Sequence, residues 1–259
     1  MSIPTTTRAA MADHIAALNV GAGDNIVVHS RLTSFGLLED GSEGACAAIR
    51  AVIGTRGTLA VPTFRLHASV SDVYNRLTSP SERCGQLSEF VRQLPESRRS
   101  RCPLHSYAAV GPDSSLLDQP TGRFSMGPDS DFDVLHHNGF KQVFLGAEFA
   151  DAATIVVHAM ACFGRIPYRT WLDLPRQVVD DEGNTRNIAC RYYGRSDRST
   201  DIEDWSVPKP ILERSGKLHQ QKTHFGRSYA FMMNDLITIL INHLTDNPEG
   251  LLASTGAPA

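Results

Sequence analysis

Four short apolar runs constrain this chain more than any other feature, because each is too brief for a buried helix and each is followed by helix-forming or turn-forming sequence. They are NIVVHS (Asn25 to Ser30), TLAVPTF (Thr58 to Phe64), LHSYAAV (Leu104 to Val110) and QVFLG (Gln142 to Gly146). Runs of this length, bounded by Gly and Pro, read as buried strands. Between and around them lie segments with helical spacing: Thr5 to Val20, Ser42 to Ile53, Gln86 to Leu94 and Ala152 to Phe163. Strands alternating with helices up to about residue 165 predict an α/β fold with a three-layer α/β/α sandwich. The pattern then changes. Gln177 to Asp180 and Thr185 to Tyr193, joined by a turn at Asp181 to Asn184, read as a later β-hairpin excursion. A polar stretch from His67 to Arg83 and another from Gly194 to His224 read as irregular, and an amphipathic C-terminal helix from Ser228 to Leu244 closes the chain. One domain over residues 1–259 is expected, with a core over 1–165 and a hairpin, loop and closing helix over 166–259.

Composition narrows the function. The 259 residues carry 25 Lys+Arg against 28 Asp+Glu, a formal charge of −3, which lacks the basic excess of a nucleic-acid binder. No apolar run reaches the roughly 18 residues of a membrane span, so no membrane partner is expected. The first twenty residues lack the charged start and apolar block of a signal peptide. Five cysteines at irregular spacing form no C-x-x-C pair. Free thiols in a cytoplasmic protein are the expectation.

Motifs for phosphate loops, dinucleotide folds, zinc proteases and serine hydrolases are missing. His136 and His137 are adjacent and without supporting ligand spacing, so no metal is expected. What remains is a set of polar strand ends. The loop VHSRLTSFG offers Ser30, Arg31, Leu32, Thr33 and Ser34 directly after a strand, where open α/β sheets bind ligands. Its backbone N–H groups, hydroxyls and cation suit a phosphate, and equally a solvated turn. ESRRSRCPLHSY places Arg98, Arg99, Ser100 and Arg101 before the third strand, with His105 and Ser106 at its start. His158 stands in the apolar helix DAATIVVHAMACFG, a setting as suited to a core histidine as to a catalyst.

The ordered series of these fragments resembles the aminoglycoside 3-N-acetyltransferase (antibiotic N-acetyltransferase) family. VHSRLTSFG is similar to that family's VHSSLxxhG, and GTLAVPTF to GTLhhPTF. SPSERCGQLSEFVRQLPESRRSRCPLHSYAAVG is similar to its TPSxxGxLxExFRxLPxxxRSxHPxxSxAAxG block. QVFLG is followed by His158, with Pro167 of IPYR nine positions later, and GRSYAFMMNDLI fits the family's final helix. The resemblance implies acetyl-CoA as donor and direct transfer to a small-molecule amine, with both substrates bound together. It also implies CoA contacts at Ser30 to Ser34 and at Arg99, Ser100 and Ser106, and His158 as general base. A neutral imidazole can take a proton from the acceptor ammonium before nitrogen attacks the thioester.

The departures from the pattern bear on activity. Ala161 stands where the family reads H-x-x-E, so the carboxylate that orients the imidazole is missing, and Glu148 or Asp151 are the candidate substitutes. Cys102 replaces a His, and Arg31 a Ser. A polycationic acceptor calls for carboxylates, and the candidates are Asp72, Glu82, Glu89, Asp129, Asp131, Asp133 and Glu148, with Asp72, Glu89 and Glu148 foremost. The acceptor expected is an aminoglycoside or related amino sugar. Alternatives are a nucleotide-linked amino sugar or other biosynthetic amine, and a non-catalytic acyl-CoA-binding homologue. A monomer or a homodimer is expected.

Overall fold

Apolar residues at every position of a strand demand cover on both faces, and the fold supplies it. A computed structural model of the chain describes residues 3–67, 69, 71–196 and 203–253. The strands in chain order are β1 (Thr5–Thr6), β2 (Asn25–Ser30), β3 (Leu37–Leu38), β4 (Thr58–Pro62), β5 (Val73–Tyr74), β6 (Arg98–Arg99), β7 (Tyr107–Val110) and β8 (Lys141–Leu145). They continue with β9 (Arg169–Val179), β10 (Thr185–Arg195), β11 (His219–Lys222) and β12 (Arg227–Met232). The helices are α1 (Arg8–Ala16), α2 (Gly41–Ile53), α3 (Gln86–Gln93), α4 (Asp131–His137), α5 (Ala153–Phe163), α6 (Pro208–Arg214) and α7 (Met233–Asp246).

A seven-stranded mixed sheet runs in the order β11-β12-β8-β2-β4-β7-β6. Its centre is parallel, with β2 paired to β8 on one side and to β4 on the other. Antiparallel strands extend both edges. Alternate residues of β2 and β4 go to opposite sides. Val27 and Ala60 join an apolar cluster with Phe132, Val156, Met160, Leu236 and Leu240 of α4, α5 and α7. Ile26, Val28, Leu59 and Val61 join a second cluster with Met11, Ile15, Ile49 and Val91 of α1, α2 and α3. The chain is thus an α/β protein. No helix among the described residues is long and apolar enough to cross a membrane.

Several expectations shift. The segment Ser228 to Leu244 is not one helix: its first residues form β12, whose Tyr229 to Met232 pair antiparallel with β8, and α7 starts only at Met233. Pairing with the sheet overrides the helical spacing that SYAFMM shares with the sequence after it. Thr5 and Thr6 pair with Leu37 and Leu38, leaving Thr7 to cap α1 through a hydrogen bond from the Ala10 N–H. The strand expected from Leu104 begins at Tyr107, and Pro62 ends β4 as a missing donor predicts. The hairpin extends to eleven residues per arm and takes β5, from the stretch expected to be irregular, as a third strand. β11 and β12 carry the last quarter of the chain back to the central sheet.

Phe144 ties these parts together, with ring contacts to Phe149 before α5 and to Phe231 of β12. Phe144→Ala is expected to cost about 3–5 kcal/mol, the usual toll of a core phenylalanine cavity, measured by chemical denaturation with the m-value unchanged.

Candidate active site

The three parallel strands end side by side, and the chain must turn away from each at the same edge. That edge holds a cavity of about 420 Å³. His29, Ser30 and Arg31 come to it from β2, Pro62 and Phe64 from β4, and Ala147, Asp151 and Thr154 from the turn after β8 and the start of α5. Glu82, Arg83, Cys84 and Gly85 close one side. The approach of the β2 and β8 turns depends on Gly146. Its φ is 70°, and a Cβ there would stand 2.8 Å from the Arg31 carbonyl oxygen and from Ser34 Cβ. Ser34 Oγ donates to the Gly146 carbonyl at 2.5 Å, and the Gly146 N–H donates to Ser228 Oγ at 2.8 Å.

Of the residues expected to hold the donor, Ser30 and Arg31 line this cavity. Leu32 is half-buried, Thr33 is exposed on the following turn, and Ser34 is buried in the Gly146 contact. Arg99, Ser100 and Ser106 are placed differently, inside the protein. The Arg99 guanidinium lies over the Tyr74 ring and donates to the Thr63 and Ser79 carbonyls, to Thr63 Oγ1 and to Ser106 Oγ. Ser100 Oγ donates to Asp131, and Ser106 Oγ donates to the Thr63 carbonyl at 2.7 Å. The arginine cluster is thus split. Arg99 is a buried strut, whereas Arg98 and Arg101 reach Asp118 and Asp181 near the surface.

The expected acceptor carboxylates are scattered. Asp72 accepts from the Ser69 N–H on an exposed loop. Glu89 is raised by burial but brought down to about 2 by hydrogen bonds from Arg92, Gln93 and Ser81. Glu148 caps the turn before α5, reciprocally with Asp151. Asp129 and Asp133 line a separate surface cleft, and Asp131 is enclosed. At the cavity stand Glu82, which accepts from the His67 N–H at 2.9 Å, and Asp151, which pairs with Arg31 at 3.1 Å.

His158 is fully enclosed and is not part of the cavity wall. Its Nδ1 accepts from the Gly127 N–H at 2.9 Å, so the ring proton sits on Nε2, facing His136 Nδ1 at 3.4 Å and Cys162 Sγ at 3.6 Å. Phe132 stacks on it at 5.4 Å, and Phe132 in turn meets Phe64, which does reach the cavity. Burial first, then the neighbouring His136 and His137, lower its pKa to about 3, so the ring is neutral at physiological pH. The alanine at the missing carboxylate's position matters here: Ala161 Cβ lies 3.0 Å from where a Cβ on Gly127 would be, so a small side chain at 161 leaves room for the covering segment. Among the carboxylates it is Asp133 that comes within 4.8 Å of the His158 and Cys162 donor atoms, whereas Glu148 and Asp151 are bound to each other.

The residue missed from sequence is His29. Its half-buried ring meets Phe64 and Phe144 edge-on, lines the cavity, and has no hydrogen-bond partner among the described residues. Burial lowers its pKa to about 4. Its place in VHSRL, next to the polar loop, was the available signal. Arg83, at φ 55° in the cavity lining, has no ion-pair partner among the described residues. Nothing in the local sequence marks it.

Cations, carboxylates and a neutral imidazole line this cavity at the parallel strand ends, a lining chemically suited to a charged small molecule. Residues 27–245 match the family described as aminoglycoside 3-N-acetyltransferase, and the chain belongs to that family of acyltransferases. A relative, aminoglycoside N(3)-acetyltransferase VIII of Streptomyces fradiae, is 32% identical over 174 residues, a match that spans 60% of each chain. Two solved structures share the fold. A histidine-to-alanine mutant of AAC(3)-IVa in complex with a gentamicin aligns with a TM-score of 0.83 at 22% identity, over 98% of this chain and 94% of that one. AAC-IIIb in binary complex with CoASH aligns with a TM-score of 0.81 at 21% identity, over 98% and 100%. The second of these structures thus holds CoASH, the thiol left when acetyl-CoA gives up its acetyl group.

Asp131 gives the site region a pH signature. Burial, opposed by the Ser100 hydroxyl, raises its carboxyl to about 7. The unfolded chain releases this proton near pH ~3.9 and the folded chain only near 7, so the carboxyl costs stability progressively between those values. The melting temperature of Asp131→Asn relative to wild type is expected to climb across that interval and level off above about pH 7. A difference that stays flat from about pH 4 to about pH 8 contradicts the assignment.

Proposed function

We propose that this protein transfers the acetyl group of acetyl-CoA to an amine of an aminoglycoside or a related amino sugar, in the cavity at the ends of β2, β4 and β8. One observation carries the reading: Arg31 and Arg83 stand in the same chamber as Glu82 and Asp151. Cations suit the phosphates of the donor, and carboxylates suit a cationic acceptor. Ser30 and the Leu32 to Ser34 turn, anchored to Gly146, stand beside the thioester arm of the donor. Asp72, Glu89 and Glu148 are not among the residues that line the chamber, and Glu82 and Asp151 take the acceptor role in this reading.

The reaction needs an uncharged nitrogen. A base removes one ammonium proton and releases it to solvent, the amine adds to the thioester carbonyl, and the C–S bond breaks as the C–N bond is completed, with a second proton passing from nitrogen to the departing CoA thiolate. His158 is the base in this reading. Its lone pair on Nδ1 is engaged by Gly127 in the closed form, so the segment from Phe124 to Ser130 draws back before catalysis. Burial keeps the ring neutral and ready to accept a proton. A second reading is favoured by the unpartnered His29 ring in the cavity wall, which needs no such movement.

Thiol release from acetyl-CoA, measured against a panel of aminoglycosides and nucleotide-linked amino sugars, tests both. His158→Ala is expected to lower kcat by about 10²–10⁴ with CoA binding retained, the usual loss of a general base. His29→Ala showing that loss, while His158→Ala does not, transfers the role to His29. CoA binding without thiol release for any amine supports the non-catalytic alternative.

A further inference from the structure

The surroundings of His158 determine where the protons of two rings lie. Phe132 stacks on one face of its imidazole at 5.4 Å, with the planes 19° apart, so hydrogen bonding is left to the ring edges. The Gly127 N–H meets Nδ1 at 2.9 Å, and Nε2 faces His136 Nδ1 at 3.4 Å and Cys162 Sγ at 3.6 Å. A neutral imidazole has one N–H and one lone pair. The Gly127 amide can only donate, so it takes the lone pair on Nδ1 and leaves the proton of His158 on Nε2. That N–H needs an acceptor, so His136 presents a bare Nδ1 and keeps its own proton on Nε2. Burial, and then the neighbouring His137, lower the pKa of His136 against the pull of Asp133, so its ring too is neutral at physiological pH.

The reaction in the reading above takes the Gly127 amide away. Once the segment from Phe124 to Ser130 draws back, both tautomers of His158 are open to it. The form with its proton on Nδ1 has no lone pair on the uncovered edge and cannot take a proton there. Whatever meets Nε2 then decides between them. Cys162 favours the wrong one: burial first, then the charge of Asp133, push its thiol up to about 12, and an S–H is a donor to Nε2 and a weak acceptor from it. The bare Nδ1 of His136 favours the right one. We propose that His136 is a positioning residue for the transfer: it accepts the Nε2–H of His158 and so keeps the proton-accepting lone pair on Nδ1.

This role rests on His158 being the base. When His158 takes the amine's proton it becomes an imidazolium, and its Nε2–H bond to His136 becomes charge-assisted and stronger. Asp133, three residues before His136 on α4, has Oδ1 3.8 Å from His136 Nδ1, and a carboxylate oxygen within 4.8 Å of the His158 donor atom. Its negative charge offsets the positive one while the proton resides there. The His136 side chain is only 8% exposed, so water does not readily replace it as acceptor. The T-shaped meeting of the two rings, with centroids 5.5 Å apart, lets the His158 N–H point along the edge of His136.

Two measurements on the full chain test this. Long-range proton–nitrogen NMR of the ligand-free wild type reads the tautomers directly, and both His158 and His136 are expected with the proton on Nε2. His136 protonated on Nδ1 overturns the proposal. Thiol release from acetyl-CoA then compares two substitutions. His136→Leu keeps bulk without an acceptor, whereas His136→Asn sets a side-chain carbonyl near the place of Nδ1. The leucine variant is expected to lose about 10–10²-fold in kcat with KM unchanged, the range for removing a partner that orients an imidazole, and the asparagine variant to recover most of it. Circular dichroism and CoA titration check that each is folded, with His136→Ala standing in where leucine does not pack. An asparagine variant as slow as the leucine one overturns the proposal, because loss of ring packing then explains both. His158→Ala inactive beside a fully active His136→Leu overturns this proposal alone, whereas a fully active His158→Ala overturns the base assignment and this proposal together.

Discussion

The pairing of β2 between two parallel neighbours is the constraint from which most of the molecule follows. A strand flanked on both sides by parallel partners leaves no edge, and the crossover connections place helices over both of its faces. Its side chains are therefore buried on either side, Val27 toward α4, α5 and α7, and Ile26 and Val28 toward α1, α2 and α3. The same arrangement forces three chain turns to one edge, where polar backbone groups cannot all be paired within the sheet. The cavity sits there because the sheet stops there. Gly146 and Ser34 hold two of those turns at a distance that a larger residue at 146 would not permit.

Burial acts on the chemistry in one direction and with different consequences. It keeps His29 and His158 neutral and raises the Asp131 carboxyl toward neutral pH. His29 remains open to the cavity, whereas His158 is covered by Gly127 and stacked by Phe132. Arg99 shows the other outcome of burial. A guanidinium cannot shed its charge, so it is retained inside only because two backbone carbonyls, two hydroxyls and an aromatic face surround it. In the same way, the half-exposed Cys162 and Asp133 stand at the outer end of the contact chain that His158 makes with His136.

Much of the fold was legible in the residues. The runs at Asn25, Thr58 and Gln142 became β2, β4 and β8 within a residue at most ends, because buried parallel strands carry an unbroken apolar signal. The strands that escaped notice are β1, β3, β5, β6 and β11, all short or at edges, and the β12 half of the closing segment. Their residues gain their conformation from a partner distant in sequence, and no local periodicity records that partner. Among candidate site residues, Ser30, Arg31 and Glu82 line the cavity, whereas Arg99, Ser100 and Ser106 are enclosed and hydrogen-bonded within the protein.

The amino-acid sequence by itself determined the α/β class and the family, since hydrophobic spacing and an ordered series of motifs are properties of the chain read in line. Tertiary structure alone decided which polar residues line the cavity, which are struts and which are sealed. It put His29 on a cavity wall, enclosed His158, and brought Asp133 and His136 of one helix against His158 and Cys162 of another. The reason is that accessibility and convergence are set by packing between segments far apart in the chain, and a motif specifies side chains without specifying what will cover them.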